Sequence, residues 1–258
     1  QGSRVAAFEE QFAQLHEVKH AIAVTSCTTG LHLALIGMGI GPGDEVIVPA
    51  FTWVATANVV IQCGATPVFV DVDRQTYNLD SKLVKERLTE ATKAIIPVHL
   101  FGLCADMDGI REVVPENIKI LEDAACAAGA RYGASYAGGL GDAAVFSFHP
   151  RKPITTGEGG AITTNSQELY EKIVKDAFKE GVEIIDLCGY GDVFLDRGLM
   201  EKLKFTKKIK PNCKTYVSTT GNAMISRYHE DILKYLDILK FSIYGTTPEV
   251  YKLAMGGL

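Results

Sequence analysis

The residues best suited to chemistry lie in Ser147-Phe148-His149-Pro150-Arg151-Lys152-Pro153-Ile154-Thr155-Thr156-Gly157-Glu158-Gly159-Gly160, a polar loop between apolar runs at 143–146 and 161–163. Loops braced by two strands are common places to fix reactive groups. Lys152, with Pro150 and Pro153 either side, can serve there as a Schiff-base amine; the alternative is a solvated loop lysine, because charged side chains are rarely buried. A second cluster, Thr25-Ser26-Cys27-Thr28-Thr29-Gly30, follows a short apolar run and precedes a helical one. Strand, hydroxyl-rich turn and helix together offer free N–H groups and a positive helix end to a phosphate, although Ser and Thr at a helix start also act as plain caps. Neither a P-loop lysine nor dinucleotide-fingerprint spacing is present. Trp53, the one tryptophan, is either core or a flat face for an aromatic ligand. Its place after a strand favours the ligand face. Asp123, beside Glu122, either caps the segment that follows or is a buried anion set against a protonated ring nitrogen.

The elements that must position these groups alternate. Apolar runs predict strands at 21–24, 45–48, 66–72, 94–99, 119–124, 143–146 and 160–164, and helical spacing predicts helices over 5–15, 31–38, 51–63, 81–88 and 106–113. Residues 132–140 read as a loop. Solid apolar strands separated by helices predict an α/β fold, with a seven-stranded, mostly parallel sheet covered on both faces. Ser26 to Thr29, Trp53, His99, Asp123 and Ser147 to Lys152 all fall just past strand ends. They therefore converge on one edge of one sheet, where open α/β sheets bind ligands.

Composition narrows the partners. The 258 residues are 47% hydrophobic and 22% charged, ordinary for a globular chain with a sizeable core. A net charge of -5 supplies no basic face for nucleic acid. The six cysteines, Cys27, Cys63, Cys104, Cys126, Cys188 and Cys213, are scattered, so no metal site or redox pair is expected. Several lie in apolar runs, as reduced thiols do. A reducing, cytoplasmic location is expected, without membrane insertion, since neither a signal peptide nor a membrane-length apolar run is present. The start at Gln1 rather than Met suggests a fragment.

Residues 4–165 resemble the large domain of the pyridoxal-phosphate-dependent sugar aminotransferases, the DegT/DnrJ/EryC1/StrS family of fold type I. The resemblance rests on VTSCTTGLHLAL, GDEVIVPAFTWVATANVV, GATPVFVDVD, PVHLFG, LEDAACAAGA and FSFHPRKPITTGEGGAI. It implies that Lys152 binds pyridoxal 5'-phosphate and shuttles the proton, and that Asp123 pairs with the ring nitrogen. It further implies that Trp53 stacks on the ring and that Thr28, Thr29 and Ser147 hold the phosphate. Relatives with His in place of this lysine dehydrate sugars instead. The implied reaction moves an amino group from glutamate or glutamine to a nucleotide-linked keto sugar, in a homodimer. Cys126 departs from the family's usual His or Gln.

After Asn165 the motifs change. The family would continue into more of the large domain and a small domain, so 1–165 is read as the pyridoxal-phosphate-binding domain without those parts. Residues 171–258 are similar to an interior piece of a radical S-adenosylmethionine enzyme, on GVEIIDLCGYGDVFLD, KTYVSTTGNAM and LDILKFSIYGTTPEVY. The CxxxCxxC triplet is absent, so neither an iron–sulfur cluster nor radical chemistry is expected. Gly189 and Gly191 then serve as turn glycines. The whole reads as a chimera joined near 165–171 and carrying a partial β/α barrel. The competing functions are a cluster-free binding module and a non-catalytic hybrid.

Overall fold

The computed structural model describes residues 3–179, 184–186, 200, 203–204, 207, 214–219 and 234–241. The chain divides into two compact units, Gly2–Asp176 and Ala177–Leu258 with Gln1.

The first unit opens with α1 (Ser3–Leu15), β1 (His20–Val24) and α2 (Cys27–Gly37), followed by β2 (Glu45–Pro49), α3 (Ala55–Gln62) and β3 (Thr66–Val70). Next come α4 (Ser81–Val84), running into a 3-10 turn, then β4 (Thr92–Ile95), α5 (Met107–Val113) and β5 (Lys119–Asp123). A small hairpin, β6 (Arg131–Tyr132) and β7 (Ser135–Tyr136), precedes β8 (Ala143–Ser147), β9 (Gly160–Thr164) and α6 (Gln167–Lys179). Seven strands form one sheet in the order β1-β9-β8-β5-β4-β2-β3. Its pairings are parallel except those of β9, which runs antiparallel to both β1 and β8.

Successive residues of a strand face opposite sides of a sheet, and here both sides are core. Ile47, Ala144 and Phe146 join one buried cluster, while Val46, Val48 and Val145 join the other. This double burial is why the strands read as unbroken apolar runs. Gly30 lets α2 lie flat on the sheet: a Cβ there would stand 2.5 Å from Val145 Cγ1.

The element types follow the sequence pattern, but several boundaries move. Helix α2 starts at Cys27 rather than at Leu31, so Thr28 and Thr29 belong to its first turn. Ser26 caps it by accepting the Thr29 N–H at 3.1 Å, a signal that apolar spacing does not carry. Helix α3 starts at Ala55, which leaves Trp53 in the turn before it. Part of the expected loop at 132–140 is the hairpin. Helix α6 packs through the buried Leu169 and Ile173 beside Gly37, so the first unit continues past Asn165.

In the second unit β10 (Ile184–Asp186), β11 (Lys214–Thr219) and β12 (Ile238–Phe241) lie parallel, in chain order. The turns at 189–192 and 220–222 and the helix around Asp231 lie outside the described residues. Among the described residues no helix is long and apolar enough to cross a membrane.

His16 is 1% exposed and sits at the end of α1. Its Nδ1–H donates to the Ala137 carbonyl at 2.6 Å, and its Nε2 is buried without a partner among the rings of Phe12 and Phe146. Burial holds its pKa below the usual 6.5. The unfolded chain therefore takes up the proton first as pH falls, so stability is full above about pH 6.5 and declines below it. Urea midpoints from pH 8 to pH 5 should show this loss, and His16→Phe should reduce it by about 1 kcal/mol. Identical pH profiles for the two proteins would remove His16 from the account.

Candidate active site

Asp123 ends β5 and is 4% exposed. Pairing continues one step beyond β4 and fixes its backbone: Asp123 N–H donates to the Pro97 carbonyl at 2.9 Å, and His99 N–H donates to the Asp123 carbonyl at 3.0 Å. The side-chain Oδ2 accepts from Thr56 Oγ1 at 2.8 Å and Oδ1 from the Ala125 N–H at 3.2 Å. Thr56 Oγ1 is also 2.9 Å from Thr52 Oγ1, so two hydroxyls one helical turn apart orient the carboxyl. Burial pushes the Asp123 carboxyl above the usual carboxylate range, and the Thr56 and Ala125 bonds oppose that shift. Among the described residues no cation makes an ion pair with it.

Lys152 lies in a loop that closes on itself. Phe148 N–H donates to the Gly159 carbonyl at 2.9 Å, Thr155 Oγ1 to the Phe148 carbonyl at 2.9 Å, and Lys152 N–H to the His149 carbonyl at 2.9 Å. The half-buried Lys152 side chain crosses to the loop after β5, where Nζ donates to Cys126 Sγ at 3.1 Å. Trp53, His99, Phe101, Asp123, Cys126 and Lys152 all line one cavity of about 280 Å³. Trp53 is 71% exposed and forms an outer wall, so core packing does not account for it.

The third predicted group lies along the neighbouring strand ends. Register places Val24, Gly160 and Ser147 side by side, which brings the start of α2 next to the end of β8. Gly160 makes this possible: a Cβ there would stand 2.6 Å from the Phe146 carbonyl oxygen and 2.9 Å from the Cys27 nitrogen. Thr28 and Thr29 are exposed and Ser147 is buried. None of the three lines the cavity that Asp123, Trp53 and Lys152 share. The structure thus brings together the amine, the carboxylate and the indole, with the helix start on the adjoining edge.

A lysine and a buried carboxylate thus line one cavity at the carboxyl ends of parallel strands, and the chain as a whole matches a known family. The model of the DegT/DnrJ/EryC1/StrS aminotransferase family matches residues 1–189. The chain belongs to that family. The match extends past residue 165 and takes in 171–189, the first part of the segment expected to be radical-SAM-like. GDP-perosamine synthase of Caulobacter vibrioides is 55% identical over 173 residues, covering 67% of this chain and 47% of that protein. The structure of S. venezuelae DesV in complex with a ketimine intermediate is 45% identical, with a TM-score of 0.65 over 67% of this chain and 47% of that one. Bacillus subtilis NtdA with bound cofactor PMP is 34% identical, with a TM-score of 0.64 over 69% of this chain and 40% of that one. The chain spans about half the length of the curated relatives it matches. Aminotransferases of this family use pyridoxal phosphate.

Beside the site stands a group whose role the sequence did not disclose. Glu122 is 0% exposed and four donors converge on it. Leu140 and Gly141 N–H donate to Oε1 at 2.7 Å each, and Gly138 N–H and His99 Nε2–H donate to Oε2 at 2.8 and 2.9 Å. The Ala105 N–H donates to His99 Nδ1 at 3.1 Å, which fixes the proton on Nε2. Glu122 thereby ties β5 to the segment entering β8 and to the His99 wall of the cavity. Glu122→Gln turns an NH₂ toward two donors, so stability should fall by about 3–5 kcal/mol. Thermal unfolding reads this directly, and a fall below about 1 kcal/mol would mean that the network relaxes freely. Thr52 and Thr56 were also missed; their spacing of four was the available hint.

Proposed function

We propose that this chain carries the cofactor-holding part of an aminotransferase that moves an amino group from glutamate or glutamine to a nucleotide-linked keto sugar. The observation that carries the reading is Lys152 and Asp123 lining one cavity, the first as an amine and the second as a buried carboxylate that makes no ion pair among the described residues. Pyridoxal phosphate fits these residues: a protonated ring nitrogen would give Asp123 a cation to pair with, and a carbonyl would meet the amine. When bound, it supplies an electron-withdrawing ring and a carbonyl that accepts and gives up an amino group.

The chain's own residues then have definite tasks. Asp123 Oδ2, steadied by the Thr56 hydroxyl, keeps the proton on the ring nitrogen. Trp53 covers one face. Lys152 Nζ would hold the cofactor through its amine and would take and return the proton at the substrate carbon. Thr28, Thr29 and Ser147 hold the phosphate at the start of α2, where free N–H groups and the helix dipole favour an anion. The name of the Caulobacter relative supports a sugar bound to a nucleotide as substrate. Two copies would assemble around the site, a reading supported by the exposed Phe51, Trp53 and Phe101 that line it. The cofactor domain of this reading, expected over 1–165, takes in α6 as well, and the family model reaches residue 189. For the rest of 171–258, a partial radical-SAM-like β/α segment without its cysteine triplet is the reading, supported by the parallel strands β11 and β12.

The test is to add pyridoxal phosphate to the purified chain, record the visible spectrum, reduce with borohydride and map the modified peptide. A visible band and a label on Lys152 are expected. No band and no label on any lysine would overturn the proposal.

A further inference from the structure

The bond from Lys152 Nζ to Cys126 Sγ, 3.1 Å long in the wall of the cavity, has a chemical consequence of its own. An amine that donates to a sulfur when protonated presents its lone pair to that sulfur when it is not. We propose that Cys126 is an oxidation site which a peroxide converts into a reversible sulfur–nitrogen link to Lys152. The steps balance. The Cys126 thiol takes one oxygen from hydrogen peroxide to give a sulfenic acid and water, the sulfur being oxidised and the peroxide reduced. Lys152 Nζ then attacks that sulfur; the S–N bond forms, the S–O bond breaks, and the hydroxyl departs with one amine proton as a second water. A thiol reductant reverses the link by attack at the sulfur.

Position separates Cys126 from the other described cysteines. It is half-buried on a cavity wall, open to a small oxidant. Cys27 and Cys104 are buried. Burial also holds the Cys63 and Cys104 thiols up at about 11 and pushes Cys27 well above its usual value, leaving them as unreactive neutral thiols. The link itself rests on this geometry alone. Its consequence rests on the proposed function: an oxidised chain has no amine left for pyridoxal phosphate, and a chain already holding the cofactor is protected.

The experiment treats the full chain with a small excess of hydrogen peroxide and reads intact mass and non-reducing tryptic maps. The expected product is lighter by two hydrogens, with peptide 120–131 joined to peptide 152–172, and a thiol reductant reverses it. It should be missing from Cys126→Ala and Lys152→Met and should persist in Cys27→Ala. Loss of the product in Cys27→Ala would reassign it as a disulfide and overturn the proposal, as would a Cys126 that only gains oxygens. Prior fixation of pyridoxal phosphate with borohydride should block the link. A link that forms equally in the treated chain would overturn the proposed role of Lys152 while leaving the oxidation site in place.

Discussion

Lys152→Ala is expected to abolish borohydride-fixed pyridoxal phosphate and to slow amino transfer by about 10³-fold or more, since it removes both the covalent hold and the proton carrier. The side chain is half-buried and reaches one sulfur, while the loop is held by backbone bonds that alanine retains. Stability should therefore change by no more than about 0.5 kcal/mol. Peptide mapping after reduction and a thermal scan separate the two effects. Fixed cofactor at the unsubstituted level in the variant would assign the amine to another residue.

Asp123→Asn should move function and stability in opposite directions. Amide for carboxylate removes the charge set against the ring nitrogen, and electrostatic groups of this kind account for about 10²–10³-fold in rate. The cofactor-free variant should nevertheless melt a few degrees higher at neutral pH. The Asp123 carboxyl is held above its unfolded value by burial. The folded chain therefore keeps the proton longer, and stability declines as pH rises from about 4 through the folded value, with the cost persisting above it. Asparagine carries no such cost. Its amide can donate to Thr56 Oγ1, whose own hydrogen turns to Thr52 Oγ1 at 2.9 Å. Thr56→Val should give a milder loss, about tenfold in cofactor affinity, by freeing the carboxyl to rotate. Parallel melting and cofactor titration check both variants. An asparagine variant that melts lower would show that Asp123 is fully compensated within the free chain.

The sheet and its functional edge were legible because the inner strands β2, β5, β8 and β9 are buried on both faces and so read as apolar runs bounded by polar residues. Lys152, Asp123 and Trp53 could be assigned to one site for that reason: each follows such a run. Thr56 was not legible, because its meaning depends on α3 turning a hydroxyl toward the end of β5, a relation between distant segments. The start of α2 was misread by following apolar spacing, which begins at Leu31, instead of the Ser26 cap. The two-residue strands of the hairpin are too short to carry a period. Cys126 stood out as an unusual residue, but its contact with Lys152 appears only once the two loops are brought together in space.

The placement of β9 also bears on the order in which the molecule is built. Register pairs His20 with Thr164 and Val24 with Gly160, so β1 reaches the sheet only through a strand made far later in the chain. During synthesis β2, β3, β4 and β5 can already lie side by side, while α1 and β1, made before them, wait for β9. Closure across so long a sequence separation is slow. It leaves the backbone of β1 open to other extended chains in the interval. Nascent chains halted short of Thr164 should therefore bind chaperones through residues 20–24 and release them once β9 emerges.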